Sequence, residues 1–270
     1  MTAPQATSTS RPSWLATLRA HGGTAAFMLS GLGMFVAAAI PFVLFARLLT
    51  PERRYAIYVA WLRAEHVLLR LLCGLTFEVS GLEHLPKQPS LVFAKHQSML
   101  EVFTLPLFLP PQTWVLKEEL MDIPLFGRAA RLLGAIPIHR GSGLEALEAM
   151  LGDGLRALEA GRWLVIFPEG TRVPAGERVQ RLKRGAGMLA AAAGVPLVPV
   201  AHNAGCFWRR RPWPLRAGTV RYVIGPAIDP RGRKAPAINR EVQTWLDATT
   251  TALEQQAGLV QAEPSGASNR

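Results

Sequence analysis

The stretch from Thr24 to Ala46 constrains the fold of this chain more than any other, because it contains no charged residue. Its second half, Met34 to Phe45, is wholly apolar. A helix of this length is long enough to cross the hydrocarbon core of a bilayer, and Pro41 is expected to kink it. A secretory signal peptide is the alternative interpretation. The length of the apolar run, and the lack of a small-residue cleavage site with a polar continuation, disfavour it.

Arginines are distributed unevenly on the two sides of this stretch. Arg47, Arg53 and Arg54 follow it closely, whereas only Arg11 and Arg19 precede it. Positive charge next to a membrane helix favours the cytoplasmic side. We therefore expect the protein at the cytoplasmic (inner) membrane, with the part after the helix facing the cytoplasm.

The segment from Pro51 to Leu72 is predicted to be a second helix, of mixed character. Its apolar and basic residues are compatible with a helix that lies in the membrane interface. A helix packed against the core in the ordinary way explains the same pattern. Together the two segments predict an N-terminal helical hairpin for membrane attachment.

Composition narrows the possible partners. The formal net charge is +11, which suits an anionic partner such as a lipid surface, an acidic protein or a nucleic acid. The two cysteines, Cys73 and Cys206, form no metal-ligand spacing and no disulfide framework. That usage is compatible with a reducing compartment.

After residue 74, short apolar runs alternate with helical patterns, which predicts an α/β fold with parallel strand pairs. We expect a mixed, largely parallel sheet flanked by helices, behind the N-terminal hairpin. The predicted organisation is a mobile tail over residues 1–23, attachment helices over 24–74, one domain over 75–257 and a disordered tail over 258–270. The predicted strands are 75–79, 90–94, 113–117, 134–140, 163–167, 195–201 and 219–224.

His96 and Glu101 form the first candidate site. The apolar run from Ser90 to Ala94 predicts a strand, so His96 lies at its exit, where open α/β sheets bind ligands. Ser98 is a natural N-cap, which places Glu101 in the first turn of the next helix and within reach of His96. A histidine held by a carboxylate is a usable general base. The same Ser98-x-x-Glu101 pattern is also a capping box, in which Glu101 only closes the helix start.

Charged residues end three further strands. Lys117 ends one and Arg140 ends the next, while Glu169-Gly170-Thr171-Arg172 follows a strongly apolar run. Strand ends at one edge of a sheet converge, and arginine binds phosphate with two parallel hydrogen bonds. A single arginine of this kind is usually a solvated surface charge, but the three positions together indicate an anion site.

Four blocks in this order resemble those of the glycerolipid acyltransferase superfamily. They are His96-Gln97-Ser98-x-x-Glu101, Gly134-x-x-x-Ile138-x-Arg140, Phe167-Pro168-Glu169-Gly170-Thr171-Arg172 and Val195-Pro196-Leu197-Val198-Pro199-Val200. The pattern is most similar to the 1-acylglycerol-3-phosphate (lysophosphatidate) acyltransferases, over roughly residues 75–228. The third block is highly specific.

The resemblance implies an acyltransferase domain over 75–257 that moves a fatty acyl group from acyl-carrier protein or acyl-coenzyme A to the sn-2 hydroxyl of lysophosphatidate, giving phosphatidate. His96 would deprotonate the hydroxyl, and Glu101 would orient and stabilise His96. The acceptor would be bound by a group consisting of Lys117, Arg140, Glu169, Gly170, Thr171 and Arg172. The resemblance implies no metal and no cofactor besides the thioester, and the expected partners are the two substrates and anionic membrane lipid, not nucleic acid.

Glu101 departs from the family pattern, which usually has aspartate at this position. Glutamate is one methylene longer, so the pair with His96 has to adjust.

Other interpretations of the function stay open at this point. The acceptor could be another lysolipid, Ser98 could serve a hydrolase as nucleophile although no Gly-x-Ser-x-Gly elbow occurs, and a non-enzymatic membrane protein would explain the charge but not the ordered blocks.

Overall fold

Seven strands form one mixed sheet in the computed structural model, which describes residues 14–138, 143–209 and 213–258. They are β1 (Leu75–Ser80), β2 (Leu91–Ala94), β3 (Gln112–Lys117), β4 (Ile136–Ile138), β5 (Trp163–Ile166), β6 (Leu197–His202) and β7 (Gly218–Ile224). Their order across the sheet is β1-β7-β6-β2-β5-β3-β4. All adjacent pairs are parallel except β6 and β7. The predicted fold class, a largely parallel mixed sheet, is confirmed.

The helices cover both faces of this sheet. They are α1 (Trp14–Phe45), α2 (Pro51–Cys73), α3 (Leu100–Phe108), α4 (Phe126–Leu132), α5 (Gly143–Glu159), α6 (Arg184–Ala193) and α7 (Ala235–Gln256). Successive side chains of a strand point to opposite faces, and β2 shows this directly. Its Val92 belongs to the core shared with α1, α2 and α3, whereas Phe93 belongs to the core shared with α5, α6 and α7.

The first helix begins earlier than expected. Residues 14–23, which the sequence placed in a mobile tail, are the first turns of α1. Once a helix has nucleated, each added residue gains a hydrogen bond at low cost, so the apolar helix extends readily into the segment before it. The remainder of the predicted tails, residues 1–13 and 259–270, lies outside the described residues.

One side of α1 packs on the domain. Phe27 is buried with its ring edge-on to Trp208, and the buried Thr24 hydroxyl accepts a hydrogen bond from the Leu215 amide at 2.9 Å. The other side exposes apolar side chains, with Leu29 73% and Leu32 63% exposed. The helix is long and apolar enough to cross a membrane, and only 17% of its most apolar window is buried. It is therefore not the buried core helix of the domain.

The second helix is packed on the core along one side and exposes apolar residues on the other, so both interpretations that the sequence left open apply to it. Pro51 begins α2 behind the Thr50 cap, and Gly74 ends it in the left-handed conformation, φ 63°. Leu62 and Leu69 are buried in the core, whereas Leu71 is 71% exposed. The hairpin thus packs on the domain by one side and presents apolar surface on the other.

The direction of the strands determines which edge of the sheet carries the candidate site. The five strands from β6 to β4 run the same way, so all five end at one edge. The turn after β2, the turn after β5 and the segment between β6 and β7 meet at this edge. This edge is where the sequence predicted the site.

Candidate active site

His96 and Glu101 meet as predicted. His96 Nδ1 lies 2.8 Å from Glu101 Oε1, and the Glu101 side chain is fully buried. A carboxylate accepts but does not donate, so Nδ1 carries the proton of this hydrogen bond. His96 Nε2 then has a free lone pair, and no hydrogen bond to it occurs among the described residues. The imidazole is therefore held in the tautomer that a general base requires.

The carboxylate also binds the backbone just before α3, as in a capping box, although the N-cap is Met99 and not the predicted Ser98. Glu101 Oε1 accepts from the Gln97 amide at 2.9 Å and from the Ser98 amide at 2.8 Å. Burial opposes its ionisation, but the hydrogen bonds from His96 and from the Ser98 amide keep the pKa of Glu101 below its ordinary value. Glu101 is therefore ionised at neutral pH.

Ser98 is unavailable as a nucleophile. It is buried, and its Oγ accepts a hydrogen bond from the Leu100 amide at 2.8 Å. A hydrolase would need this hydroxyl exposed and next to the base. The geometry assigns Ser98 to the helix start and disfavours the hydrolase interpretation.

Phe167 fixes the plane of the histidine ring. The two rings stack with centroids 4.1 Å apart and planes 18° apart. Phe167 follows β5, the strand next to β2, so the stacking is a direct result of strand order. The His96 side chain is 15% exposed, so the ring is accessible at one edge and restrained elsewhere.

Glu169 holds the His96 backbone in place by a hydrogen bond. Its Oε2 accepts from the His96 amide at 2.8 Å, and its Oε1 forms a buried ion pair with Lys95. Burial raises the pKa of Glu169, and the Lys95 ammonium and the His96 amide act against that rise. Both carboxylate oxygens are occupied internally. This geometry favours a positioning role for Glu169 over the predicted direct contact with an acceptor.

The three residues after Glu169, which are Gly170, Thr171 and Arg172, differ in their exposure and contacts. Gly170 adopts φ 70°, and a Cβ there would lie 3.0 Å from the Lys183 side chain, so glycine is required for the turn. Thr171 is exposed, while Arg172 is half-buried with its guanidinium against Met99 Sδ. The Val173 amide donates to the His96 carbonyl at 2.7 Å, which ties this loop to the histidine. Of the three, Arg172 carries a cation, on a loop that is tied to the His96 backbone.

Lys117 lies at the same edge, at the end of β3, two strands away from β2. Its side chain is 44% exposed and lies 3.9 Å from Glu119. Arg140, the other predicted phosphate ligand, lies outside the described residues. Ile138, two positions before it, pairs in register with Lys117, so the chain leaves β4 next to that lysine.

A layer of buried polar groups beneath His96 was missing from the predicted site. His202 Nε2 lies 2.7 Å from the Lys95 carbonyl, and its Nδ1 accepts from the Ala204 amide. Burial lowers the pKa of His202, which agrees with a neutral ring. Gln97 donates to Glu254 of α7 at 2.6 Å, and Glu254 also accepts from Arg178 at 2.8 Å. The sequence shows only that these residues are polar. It does not show that they pair, because the partners are far apart in the chain.

Comparisons with known proteins agree with this geometry. Residues 76–203 match the acyltransferase family model. The chain is 38% identical over 245 residues to the 1-acyl-sn-glycerol-3-phosphate acyltransferase of Pseudomonas aeruginosa, covering 89% of this chain and 91% of that protein. It is 31% identical over 181 residues to the human 1-acyl-sn-glycerol-3-phosphate acyltransferase beta, covering 66% of this chain and 65% of the human one.

A solved structure shares the fold. It is the 1-acyl-sn-glycerophosphate acyltransferase PlsC from Thermotoga maritima, which matches with a TM-score of 0.66 and 22% identity. The match covers 86% of this chain and 98% of that one. At this identity the likeness concerns the fold alone.

The ion pair beneath His96 generates a stability prediction. Glu169→Gln leaves the buried Lys95 ammonium without a counter-charge, so we expect the free energy of unfolding to fall by about 3–5 kcal/mol. Urea unfolding of the detergent-solubilised protein, followed by tryptophan fluorescence, measures this loss. The control Glu177→Gln, at an exposed carboxylate on the same loop, should change stability by no more than about 0.5 kcal/mol. Equal effects of the two variants would contradict the buried pair.

Proposed function

This chain belongs to the acyltransferase family that includes the 1-acyl-sn-glycerol-3-phosphate acyltransferases, and we propose that His96, polarised by Glu101, is its general base. The enzyme transfers a fatty acyl group from a thioester to the sn-2 hydroxyl of 1-acylglycerol-3-phosphate, which gives phosphatidate. The observation that carries the catalytic assignment is the 2.8 Å contact between His96 Nδ1 and the buried Glu101 carboxylate.

The acyl group passes directly from the thioester to the acceptor hydroxyl, and His96 carries the proton between them. Nε2 takes the proton of the acceptor hydroxyl as that oxygen attacks the thioester carbonyl carbon. Glu101 stabilises the imidazolium that forms, without taking its proton. The tetrahedral intermediate collapses with cleavage of the carbon–sulfur bond, and the imidazolium returns the proton to the thiolate. The products are phosphatidate and the free thiol, and no acyl-enzyme is needed because a thioester is already activated.

The acceptor phosphate binds at Arg172, supported by Lys117 and by Arg140. Arg172 contacts Met99, three positions after His96, and forms no ion pair among the described residues, so its guanidinium is available to an anion. A planar guanidinium fits a phosphate with two hydrogen bonds, which also orients the glycerol backbone. Gly170 and Thr171 shape the turn that delivers Arg172, and Glu169 holds that turn to His96.

The acyl donor is acyl-carrier protein or acyl-coenzyme A, and neither a metal nor another cofactor takes part. Both donors present the same thioester on a phosphopantetheine arm. Their phosphates, and the acidic surface of a carrier protein, suit a chain with a net charge of +11.

The protein works at the inner membrane on the cytoplasmic side, held there by its first helix. The exposed side of α1 supplies apolar surface for lipid, including Leu29, Leu32 and Leu44. The opposite side, with Thr24 and Phe27, packs on the domain. Basic residues after α1 meet anionic headgroups, each contributing about 1 kcal/mol. This placement lets a lysolipid reach His96 without leaving the bilayer.

The catalytic assignment predicts that His96→Ala lowers turnover by about 10²–10⁴-fold, because the hydroxyl loses its base. Circular dichroism should be unchanged. Glu101→Asp should keep part of the activity, and Glu101→Gln much less. Turnover is measured with lysophosphatidate and both donor types, with the product identified by mass. Full activity of Glu101→Gln would reduce Glu101 to a helix cap.

The acceptor assignment predicts that Arg172→Ala weakens lysophosphatidate binding by about 1.5–3 kcal/mol, the value of a lost charged hydrogen bond. The effect should appear as a higher Michaelis constant for the acceptor. Arg172→Lys should restore the charge but not the paired hydrogen bonds. Lys117→Ala, at a more exposed cation, should cost no more than about 1 kcal/mol. An unchanged acceptor constant in Arg172→Ala would place the phosphate elsewhere.

The membrane assignment predicts that the full chain stays on anionic vesicles at high salt and is released only by detergent. A triple variant in which serine replaces Leu29, Leu32 and Leu44 should bind vesicles more weakly, by about 1.5–3 kcal/mol per side chain that lipid buries. Co-sedimentation with vesicles measures both effects. Release of the unaltered chain by salt alone would show that α1 is not embedded.

A further inference from the structure

A cavity opens beside the active site, between the first turns of α1 and the segment that joins β6 to β7. Its volume is about 840 Å³. Ala20 and His21 contribute from α1, while Arg209, Trp213 and Arg216 contribute from the β6–β7 segment. None of these residues belongs to the site described above.

The floor of the cavity is formed partly by the loop that carries the catalytic histidine. Gln97, which directly follows His96, lines it, and so does Ala175, on the loop that carries Arg172. The Gly205 amide donates to Gln97 Oε1 at 3.1 Å, and a Cβ at Gly205 would lie 3.0 Å from that of Gln97. These contacts hold Gln97, and with it the His96 loop, at the cavity wall.

The chemistry of the walls fits an anion on a slender, partly apolar chain. Arg209 and Arg216 are both exposed, and neither guanidinium forms a hydrogen bond or an ion pair in the part of the chain that the structure describes. His21 lies edge-on to Trp213, with ring centroids 5.9 Å apart. Trp213, Leu215 and Ala217 add apolar surface to the same cavity.

Strand order places the arginines of this cavity and the cations of the acceptor site on opposite sides of β2. Arg172 follows β5 and Lys117 ends β3, which lie on one side of β2. Arg209 and Arg216 lie between β6 and β7, on the other side of β2. Direct transfer without an acyl-enzyme requires both substrates to be bound at once. A bisubstrate site with one cationic group on each side of β2 meets that requirement.

We propose that this cavity binds the phosphopantetheine arm of the acyl donor. Its phosphate lies against Arg209 and Arg216, and the arm runs past Gln97 to bring the thioester to His96. This inference rests on the proposed function, because it assigns the donor side of the same reaction. Phosphopantetheine is common to acyl-coenzyme A and acyl-carrier protein, so the cavity serves either donor.

The test compares the Arg209→Ala/Arg216→Ala double variant of the full chain with the unaltered enzyme. Three donors carry the same acyl group: acyl-coenzyme A, acyl-carrier protein and acyl-pantetheine, which lacks the phosphate. Exposed guanidinium–phosphate pairs are individually weak, so we expect the Michaelis constant to rise about tenfold for the two phosphorylated donors. The constants for acyl-pantetheine and lysophosphatidate should not change.

The control is Arg240→Ala, at an exposed arginine of α7. Arg240 lies 14 positions before Glu254, the α7 residue that contacts Gln97, which is about 21 Å along a helix. This variant should leave all constants unchanged. An equal rise of the Michaelis constants in Arg240→Ala would show that the effect comes from a general loss of positive charge, which would overturn the proposal.

Each other outcome overturns the proposal in a recognisable way. A rise for acyl-coenzyme A alone would assign the arginines to its nucleotide phosphates, and a rise for acyl-carrier protein alone would assign them to the carrier surface. A rise for lysophosphatidate would make the cavity the acceptor site. Unchanged constants for every substrate would leave the cavity without a role in donor binding.

Calorimetric titration of 4′-phosphopantetheine separates this inference from the proposed function, because it needs no turnover. Binding by the unaltered chain, weakened about tenfold in the double variant, supports the cavity assignment. No binding to the unaltered chain overturns it. Absence of acyl transfer with every donor, despite such binding, would instead contradict the proposed function.

Discussion

The structure of the active site depends on one buried carboxylate. A single oxygen of Glu101 accepts hydrogen bonds from the His96 ring and from two backbone amides. These bonds set the tautomer of the base, the path of the chain between β2 and α3, and the first turn of that helix together. A buried charge is tolerated only when it is paired and hydrogen-bonded, so this conformation is strongly preferred once the core closes around it. The added methylene of glutamate is accommodated without loss of the histidine contact.

Buried polar pairs keep the loops around the base in place. Glu169 joins the His96 amide to Lys95, the Val173 amide joins the following loop to the His96 carbonyl, and His202 holds the Lys95 carbonyl. Through Gln97 and Glu254 the same layer reaches the last helix. A base whose ring is also stacked on Phe167 loses little freedom when substrates bind, which is the preorganisation that general-base catalysis benefits from.

The sequence predicted the sheet and the centre of the site because both leave local signals. Apolar runs marked each of the seven strands, and the five-position spacing from His96 to Glu101 marked the base with its partner. Partners far apart in the chain left no such signal. The pairing of Lys95 with Glu169, and of Gln97 with Glu254, appears only when the strands are assembled. The same limit explains α1, since its apolar composition indicated a membrane helix but gave no sign that Thr24 and Phe27 pack on the domain.

The most direct test of this account is an experimental structure of the full chain in lipid or detergent with lysophosphatidate bound. The account predicts the free acceptor hydroxyl about 3 Å from His96 Nε2, within hydrogen-bond reach, and the phosphate on the Arg172 side of β2. The Glu101 contact with Nδ1 should be retained in that complex. A lysophosphatidate whose hydroxyl lies beyond reach of His96, or whose phosphate lies against Arg209 and Arg216, would contradict it.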